Sequence, residues 1–236
     1  MVVCTNIYAP NEATSQMVQS FERFGYEVAA TNAEFPYGRI FNNLVQLYKR
    51  ASTGHETFIY SDAGDTFCQR PFTVPNDRLI WSTEKHCFPH VALANEYPEP
   101  PIKTDWKYLN NGGYGGSLEL ALEFFSKYVG KLKMNDNCQY ETAVAFLKAK
   151  KDGFPIELDY GCELFQTIAF DPQKPTKGKK VDRASFSIHQ DDNGKPKYTG
   201  TDFAIRKGKV YNKMTKTTPA ILHGNGTTPM KWVYQL

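Results

Sequence analysis

The sequence predicts an α/β fold with a mostly parallel central sheet flanked by helices. Two observations carry this. Strand, helix, strand, helix and strand follow one another over the first sixty residues, the order of βαβ units. The apolar runs Thr57–Ser61 and Ala220–Leu222 each end on polar, ligand-type residues. In open α/β sheets, ligands bind just outside the carboxyl ends of the strands.

The elements follow in order. Val2–Ile7 is a short apolar run, fit for a buried strand. Ser15–Phe24 carries Met17, Val18, Phe21 and Phe24 at helical spacing, and Gly25 stops it. Tyr26–Ala30 is the second strand. Ile40–Lys49 returns to helical spacing through Ile40, Phe41, Leu44, Val45, Leu47 and Tyr48. Thr57–Ser61 is the third strand, ending on Asp62, and Leu79–Ser82 is the next. A loop rich in proline and aromatics covers residues 86–106. Lys107–Leu109 leads into Asn110-Asn111-Gly112-Gly113, read as a glycine-rich loop at a strand end. Ser117 caps a helix, Leu118–Val129, and Tyr140–Lys150 forms another, closed by Gly153 and Pro155. Ile156–Leu158 and Leu164–Ile168 are short strands on either side of Asp159-Tyr160. Residues 171–200 are rich in Lys, Pro, Gly and Asp with little apolar periodicity, and read as an irregular insertion. Phe203–Ile205 and Lys209–Tyr211 pair across Lys207-Gly208. There are no internal repeats, and the whole of 1–236 reads as one domain.

Composition bounds the function. At 41% hydrophobic and 14% aromatic residues, the 236-residue chain is globular and long enough to fold without disulfide or metal staples. No apolar run approaches the roughly 18 residues of a membrane span. The five cysteines are scattered and lack a CxxC pair, so most are expected to be buried thiols. The N-terminus is too short and too lightly charged for a signal peptide, so the expected setting is cytoplasmic, or a domain cut from a secretory-pathway protein. Net charge is only +3, yet residues 173–216 hold twelve Lys/Arg against four Asp/Glu. The other residues therefore carry 16 basic against 21 acidic groups. The basic stretch lacks a recognition motif, which argues against a nucleic-acid partner. It is placed to attract an anionic ligand.

Asp62-Ala63-Gly64-Asp65 sets two carboxylates three apart beyond a strand end, a pattern suited to one hard cation such as Mn²⁺ or Mg²⁺. His223 stands at another strand end, before Gly224-Asn225-Gly226, and an imidazole with two carboxylates completes a plausible site. A turn with solvated carboxylates and a structural histidine is the plainer alternative. Asn110 and Asn111 bring amides suited to sugar hydroxyls, and Phe88, Tyr97, Trp106 and Tyr108 offer faces for stacking or for core.

The strings FIYSDAGDTF, STEKHCFP, EYPEPPIKTDWKYLNNGGYGG, DNCQYE, IELDYGCELFQ and PAILHGNG occur in that order. In this the chain resembles the glycosyltransferase domain of the procollagen lysyl hydroxylase family and related collagen glucosyl- and galactosyltransferases. The resemblance implies a GT-A fold, a Rossmann-like nucleotide-sugar domain. It implies a UDP-sugar donor, Mn²⁺ or Mg²⁺, and transfer of glucose or galactose to hydroxylysine or galactosyl-hydroxylysine of collagen-like protein, with retention of configuration. By the same resemblance Asp62, Asp65 and His223 are the metal ligands. Thr5, at the end of the first strand, lies near the uridine, and Asn225 and Gly226 meet the donor diphosphate. Asn110 lies near the sugar, Glu84 and Phe88 belong to the sugar or acceptor site, and Asp136 contributes to catalysis. Lys231 and the N–H groups of Gly224–Gly226 add positive character around the leaving diphosphate. A glycan acceptor and a second copy of the chain are further candidate partners. The sequence departs from the family at Gly64, where relatives commonly carry Tyr, at Phe88 in place of Trp, and at a reduced acidic loop, Asn135-Asp136-Asn137-Cys138.

Three other readings compete. His189, Asp191 and His223 have the order of an Fe(II) oxygenase triad. His86, Cys87 and His90 offer zinc-type ligands. A transferase fold that binds a UDP-sugar or glycan without turning it over is the third.

Overall fold

The computed structural model describes residues 1–7, 11–32, 37–169, 189–190, 196–197, 202–225, 228, 230 and 233. The elements run β1 (Val2–Ile7), α1 (Glu12–Glu22), β2 (Glu27–Asn32), α2 (Tyr37–Ala51), β3 (Thr57–Ser61), β4 (Thr66–Cys68) and β5 (Leu79–Glu84). They continue with β6 (Tyr108–Ser117), α3 (Leu118–Phe124), α4 (Cys138–Lys151), β7 (Ile156–Leu158) and β8 (Phe165–Ala169). The last are β9 (His189–Gln190), β10 (Pro196–Lys197), β11 (Phe203–Arg206), β12 (Lys209–Asn212) and β13 (Ile221–Asn225).

The main sheet has six strands in the order β2-β1-β3-β6-β5-β7. The pairs β1–β2, β1–β3 and β5–β7 are parallel, and β6 runs antiparallel between β3 and β5. Five strands therefore share one direction, the expected GT-A arrangement. A second sheet, β4-β13-β8, has β13 at its centre, parallel to β8 and antiparallel to β4.

Strand alternation explains why both faces of the main sheet are covered. Val2, Cys4, Phe58 and Tyr60 face a cluster with Phe41, Leu44 and Tyr48 of α2 and Phe124 of α3. Val3 and Ile59 face the other way, onto Met17 and Phe21 of α1 and onto Phe165 and Ile221 of the second sheet. A third cluster, with Phe67, Trp106, Phe203, Leu222 and Met230, lies against the second sheet. Ser117 caps α3 as expected, accepting the Leu120 amide, while Asn11 and Asn137, not foreseen as caps, accept those of Thr14 and Tyr140 and start α1 and α4 earlier than the periodicity suggested. The hairpin β11–β12 turns through Lys207 and Gly208, both at positive φ, 51° and 69°.

Asn110–Gly113 is a correction. These residues are not a loop at a strand end but part of the ten-residue β6. The expectation had a cause, because the pairing of β6 with β5 breaks there: Trp81 faces Tyr114, whereas Ser82 faces Asn110. Asn111-Gly112-Gly113 is thus a bulge inside the sheet, a device that re-aims neighbouring side chains. Of the basic insertion, β9 and β10 pair antiparallel, and the rest of 171–200 lies outside the described residues. Among the described residues no helix is long and apolar enough to cross a membrane.

The cysteines are free thiols; Cys4, Cys68 and Cys162 are buried and Cys87 and Cys138 half-buried. One buried ion pair braces the fold near the site. Lys85 Nζ lies 2.9 Å from Asp202 Oδ2, with both side chains only 8% exposed, and 4.6 Å from the Trp106 ring centre. Removing one partner strands a buried charge, so Lys85→Met is expected to cost about 3–5 kcal/mol in chemical denaturation. The double variant Lys85→Met/Asp202→Leu should regain part of that loss; equal stability of Lys85→Met and wild type would refute the buried pair.

Candidate active site

The site forms where the two sheets meet. Asp62 follows β3 of the main sheet, and Thr66 opens β4 of the second sheet, so Asp62–Asp65 is the turn that crosses between them. Gly64, at φ +88°, gives the turn a left-handed residue that a side chain would strain. The Asp62 amide donates to Gly112 O at 3.0 Å, and the Gly224 amide donates to Asp65 O at 2.8 Å. The Thr66 hydroxyl donates to Asp62 O at 2.6 Å. One end of the turn is thus pinned to β6 and the other to β13.

His223 is paired with Thr66 across the antiparallel β13–β4 ladder and is 5% exposed. It lies two residues beyond Ile221, which packs towards the main sheet, so alternation aims the imidazole the same way. Its ring lies on bare backbone: a Cβ built on Gly112 would sit 2.1 Å from His223 Cε1. Glycine is required there because of the ring, and no positive φ is involved.

His223 Nε2 is 3.6 Å from Asp62 Oδ2 and 3.7 Å from Asp65 Oδ2. Those spacings exceed an N–H···O hydrogen bond. They leave room for a small cation whose ligand bonds are about 2 Å each. Asp65 Oδ1 is buried and has no hydrogen-bond partner, a costly state for a carboxylate oxygen unless a cation meets it. Among the described residues, Asp62, Asp65 and His223 are the one grouping whose ligand atoms lie within 4.8 Å of one another. The residues therefore fit a divalent metal.

The electrostatics agree. Desolvation, then the neighbouring Asp65 charge, push the Asp62 carboxyl up to about 6. Burial opposes a charge on His223, but Asp65, Asp62 and Glu84 together outweigh it and raise its pKa. A compact group of two carboxylates that resists full ionisation is relieved by a cation. Tyr60, facing the α2 side with Phe58, donates its hydroxyl to Asp62 Oδ1 at 2.5 Å. Its ring stacks on Tyr114, which stacks on Trp81.

Other expected residues fall as follows. Asn110 is buried in β6 with Oδ1 3.1 Å from His223 Nδ1. Glu84 ends β5, and burial pushes its carboxyl up to about 7 against the N–H donors of Gln139 and Asn110. Asn225 ends β13 and donates to Glu84 Oε2 at 3.1 Å. Asn111 sits in the bulge and accepts the Trp81 indole N–H at 3.2 Å. Phe88 is 57% exposed on the proline-rich loop, and its carbonyl accepts the Gln139 amide at 3.2 Å. Thr5 is not at the end of its strand: β1 runs on to Ile7, and the buried Thr5 hydroxyl donates to Ser61 O at 2.7 Å, supporting the base of the turn. Asp136 closes its own turn, accepting the Lys133 amide at 2.7 Å. Gly226 and Lys231 lie outside the described residues, as does Asp191 of the oxygenase reading. In the zinc reading, Cys87 donates instead to His90 O, and His90 packs on the Tyr140 ring.

Gln139, Tyr60 and Gly112 are the residues that sequence reasoning passed over as contributors. Gln139 belongs to the string DNCQYE, one position after a helix start, and Tyr60 lies on β3 two residues before Asp62, which follows that strand, so helix-start and alternation signals existed for both.

The mostly parallel six-stranded sheet flanked by helices, with a second small sheet beside it, is the architecture of a GT-A, Rossmann-like domain. Residues 56–175 match the family described as the PLOD GT domain, and the chain belongs to that family. It is 26% identical over 155 residues to Uncharacterized protein R699 of Acanthamoeba polyphaga mimivirus, covering 66% of this chain and 26% of that protein. It is 28% identical over 150 residues to procollagen-lysine,2-oxoglutarate 5-dioxygenase of Drosophila melanogaster, covering 63% and 17%. It is 24% identical over 166 residues to the human multifunctional procollagen lysine hydroxylase and glycosyltransferase LH3, covering 70% and 19%. The match thus spans about a quarter or less of these relatives' length.

Gly112→Ala tests the geometry. The backbone accepts alanine, but the His223 ring must move, so affinity for Mn²⁺ should fall more than about tenfold with the circular dichroism spectrum retained. Unchanged affinity in calorimetry would mean that the ring position is not needed.

Proposed function

We propose that this chain is a divalent-metal-dependent glycosyltransferase. It moves glucose or galactose from a UDP-sugar to a hydroxyl of hydroxylysine or galactosyl-hydroxylysine in collagen-like protein, with retention of configuration. The observation that carries the reading is the convergence of Asp62, Asp65 and His223 in a chain of this family. The names of the Drosophila and human relatives support the acceptor class.

Asp62, Asp65 and His223 would hold the metal. When bound, Mn²⁺ or Mg²⁺ supplies Lewis-acid neutralisation of the charge that develops on the leaving diphosphate. The chain's own residues do the rest. Tyr60 holds Asp62 by one oxygen and leaves the other directed at the cluster. Asn225, at the mouth of β13, and Gly226 and Lys231 beyond it are assigned to the diphosphate. Asn110, Asn111, Glu84 and Phe88 are assigned to the sugar and acceptor side. Thr5 supports the Ser61–Asp62 corner, beside the position assigned to the uridine.

Two retaining routes exist in principle: front-face attack of the acceptor hydroxyl, and double displacement through a carboxylate such as Asp136. The engagement of Asp136 in its own turn favours the first. The same observation keeps one alternative in view, a domain that binds the UDP-sugar without transferring it.

A panel of UDP-glucose and UDP-galactose with Mn²⁺ decides between them, read as UDP release with and without hydroxylysine or galactosyl-hydroxylysine peptide. Acceptor-stimulated release is expected with one donor, and Asp65→Ala or His223→Ala should lower it by at least about a hundredfold. Donor binding without UDP release would establish the binding module. Release that no such peptide stimulates would remove collagen as the acceptor.

A further inference from the structure

The buried amides beside the site form a chain whose direction is fixed by the Gly112 peptide N–H. Glu84, 8% exposed, accepts Gln139 Nε2 on Oε1 at 2.6 Å and Asn225 Nδ2 on Oε2 at 3.1 Å. With its Nδ2 committed to Glu84, Asn225 turns its Oδ1 to Asn110 and accepts Nδ2 of that residue at 3.2 Å. Asn110 therefore presents Oδ1 at its far side, where it accepts the Gly112 amide at 3.0 Å and meets His223 Nδ1 at 3.1 Å.

Reversing the amides is not an option. The Gly112 peptide N–H only donates, so it fixes Asn110 and, through it, Asn225, whether Glu84 is ionised or protonated. Flipping Asn225 would set its carbonyl against Glu84, and flipping Asn110 would set its NH₂ against the Gly112 N–H. Amide orientation, usually a matter of assignment, is here determined by partners that cannot invert. The oxygen of Asn110 facing the ring needs a hydrogen from it.

We propose that Asn110, oriented through Asn225 by Glu84, is a positioning residue that holds neutral His223 as its Nδ1–H tautomer, so that the Nε2 lone pair faces Asp62 and Asp65. This deepens the metal-site reading above and rests on it for its purpose, although the tautomer itself can be read without metal. It also reassigns Asn110 and Glu84: both act through His223 rather than on the sugar. Outer partners of this type fix the orientation and basicity of a ligating imidazole, and their loss costs 10- to 100-fold in metal affinity.

The test uses ¹⁵N-histidine-labelled protein, with the His223 signals assigned by their loss in His223→Gln. Long-range ¹H–¹⁵N spectra of metal-free wild type, recorded as a pH series and read on the high-pH plateau where the ring has lost its second proton, should show the Nδ1–H form. Asn110→Leu, of similar size, should lose that fixed tautomer and weaken Mn²⁺ binding, measured by the electron paramagnetic resonance of free Mn²⁺, by about 10- to 100-fold. Asn110→Asp, which keeps an acceptor oxygen at the ring, should keep the tautomer and lose less than about tenfold. An Nε2–H tautomer in wild type overturns the proposal, and so does an Asn110→Leu variant with tautomer and affinity unchanged. If Asn110→Leu does not fold, the wild-type tautomer and Asn110→Asp decide. If wild type shows the Nδ1–H form but binds neither Mn²⁺ nor Mg²⁺, the metal reading fails while the tautomer assignment stands.

Discussion

The imidazole of His223 rests on the bare backbone of Gly112, and the arrangement of the site follows from that contact. There a side chain of the second sheet lies directly on main-sheet backbone, as Phe165 does on the neighbouring Gly113. Because nothing projects from Gly112, β13 approaches β6 closely enough for an imidazole on one sheet to share a cluster with carboxylates anchored on the other. The bulge at Asn111–Gly113 supplies the matching irregularity in β6. It lets Asn110 turn towards β13 while Tyr114, a few residues on, stays stacked between Tyr60 and Trp81 in the helix-covered core.

The polar groups around this contact are expensive. Glu84, Asn110, Asn225 and His223 sit in or beside a fold whose core is densely aromatic, and each would be destabilising if unpaired. They are tolerated because they satisfy one another in sequence, carboxylate to amide to amide to imidazole. Asp65 Oδ1 is left over from that pairing, at the point where a cation would sit. Of the described buried side-chain atoms left without a partner, which also include Asn6 Nδ2, Ser82 Oγ and Thr142 Oγ1, Asp65 Oδ1 is the carboxylate oxygen, and it lies in the cluster.

Much of this was legible in the sequence, and the limits have physical reasons. Strands β1 and β3 fall within the expected bounds because apolar runs ending on polar residues leave little choice of boundary, and β7 does so as the alternating Ile156-Glu157-Leu158 between Pro155 and Asp159. The Asp62, Asp65 and His223 grouping was visible because Asp62 follows β3 and His223 follows the apolar run Ala220–Leu222, although β13 continues to Asn225 and so places His223 inside the strand rather than at its end. The Asn110–Gly113 segment was misread because glycine-rich composition is a turn signal, while a bulge is defined by its pairing partner, which sequence does not display. Thr5 was placed at the strand end by the resemblance alone, although the strand was read as Val2–Ile7, and pairing with β2 does carry β1 on to Ile7. The roles of Gln139 and Tyr60 depend on distances across elements. Periodicity gives the face on which a residue lies but not the atom it will meet.

The crossing turn Asp62–Asp65 has one more consequence. The three candidate ligands are not carried by one sheet: Asp62 follows a main-sheet strand, His223 belongs to the second sheet, and Asp65 stands on the segment that ties them. A cation held by all three acts as a rivet through two plates. Its binding energy is drawn partly from keeping the plates in register, so ligand affinity and the cohesion of the small sheet are two readings of the same free energy. A substitution in the Phe67–Leu222 cluster of the small sheet would thereby tune how firmly such a cation is held.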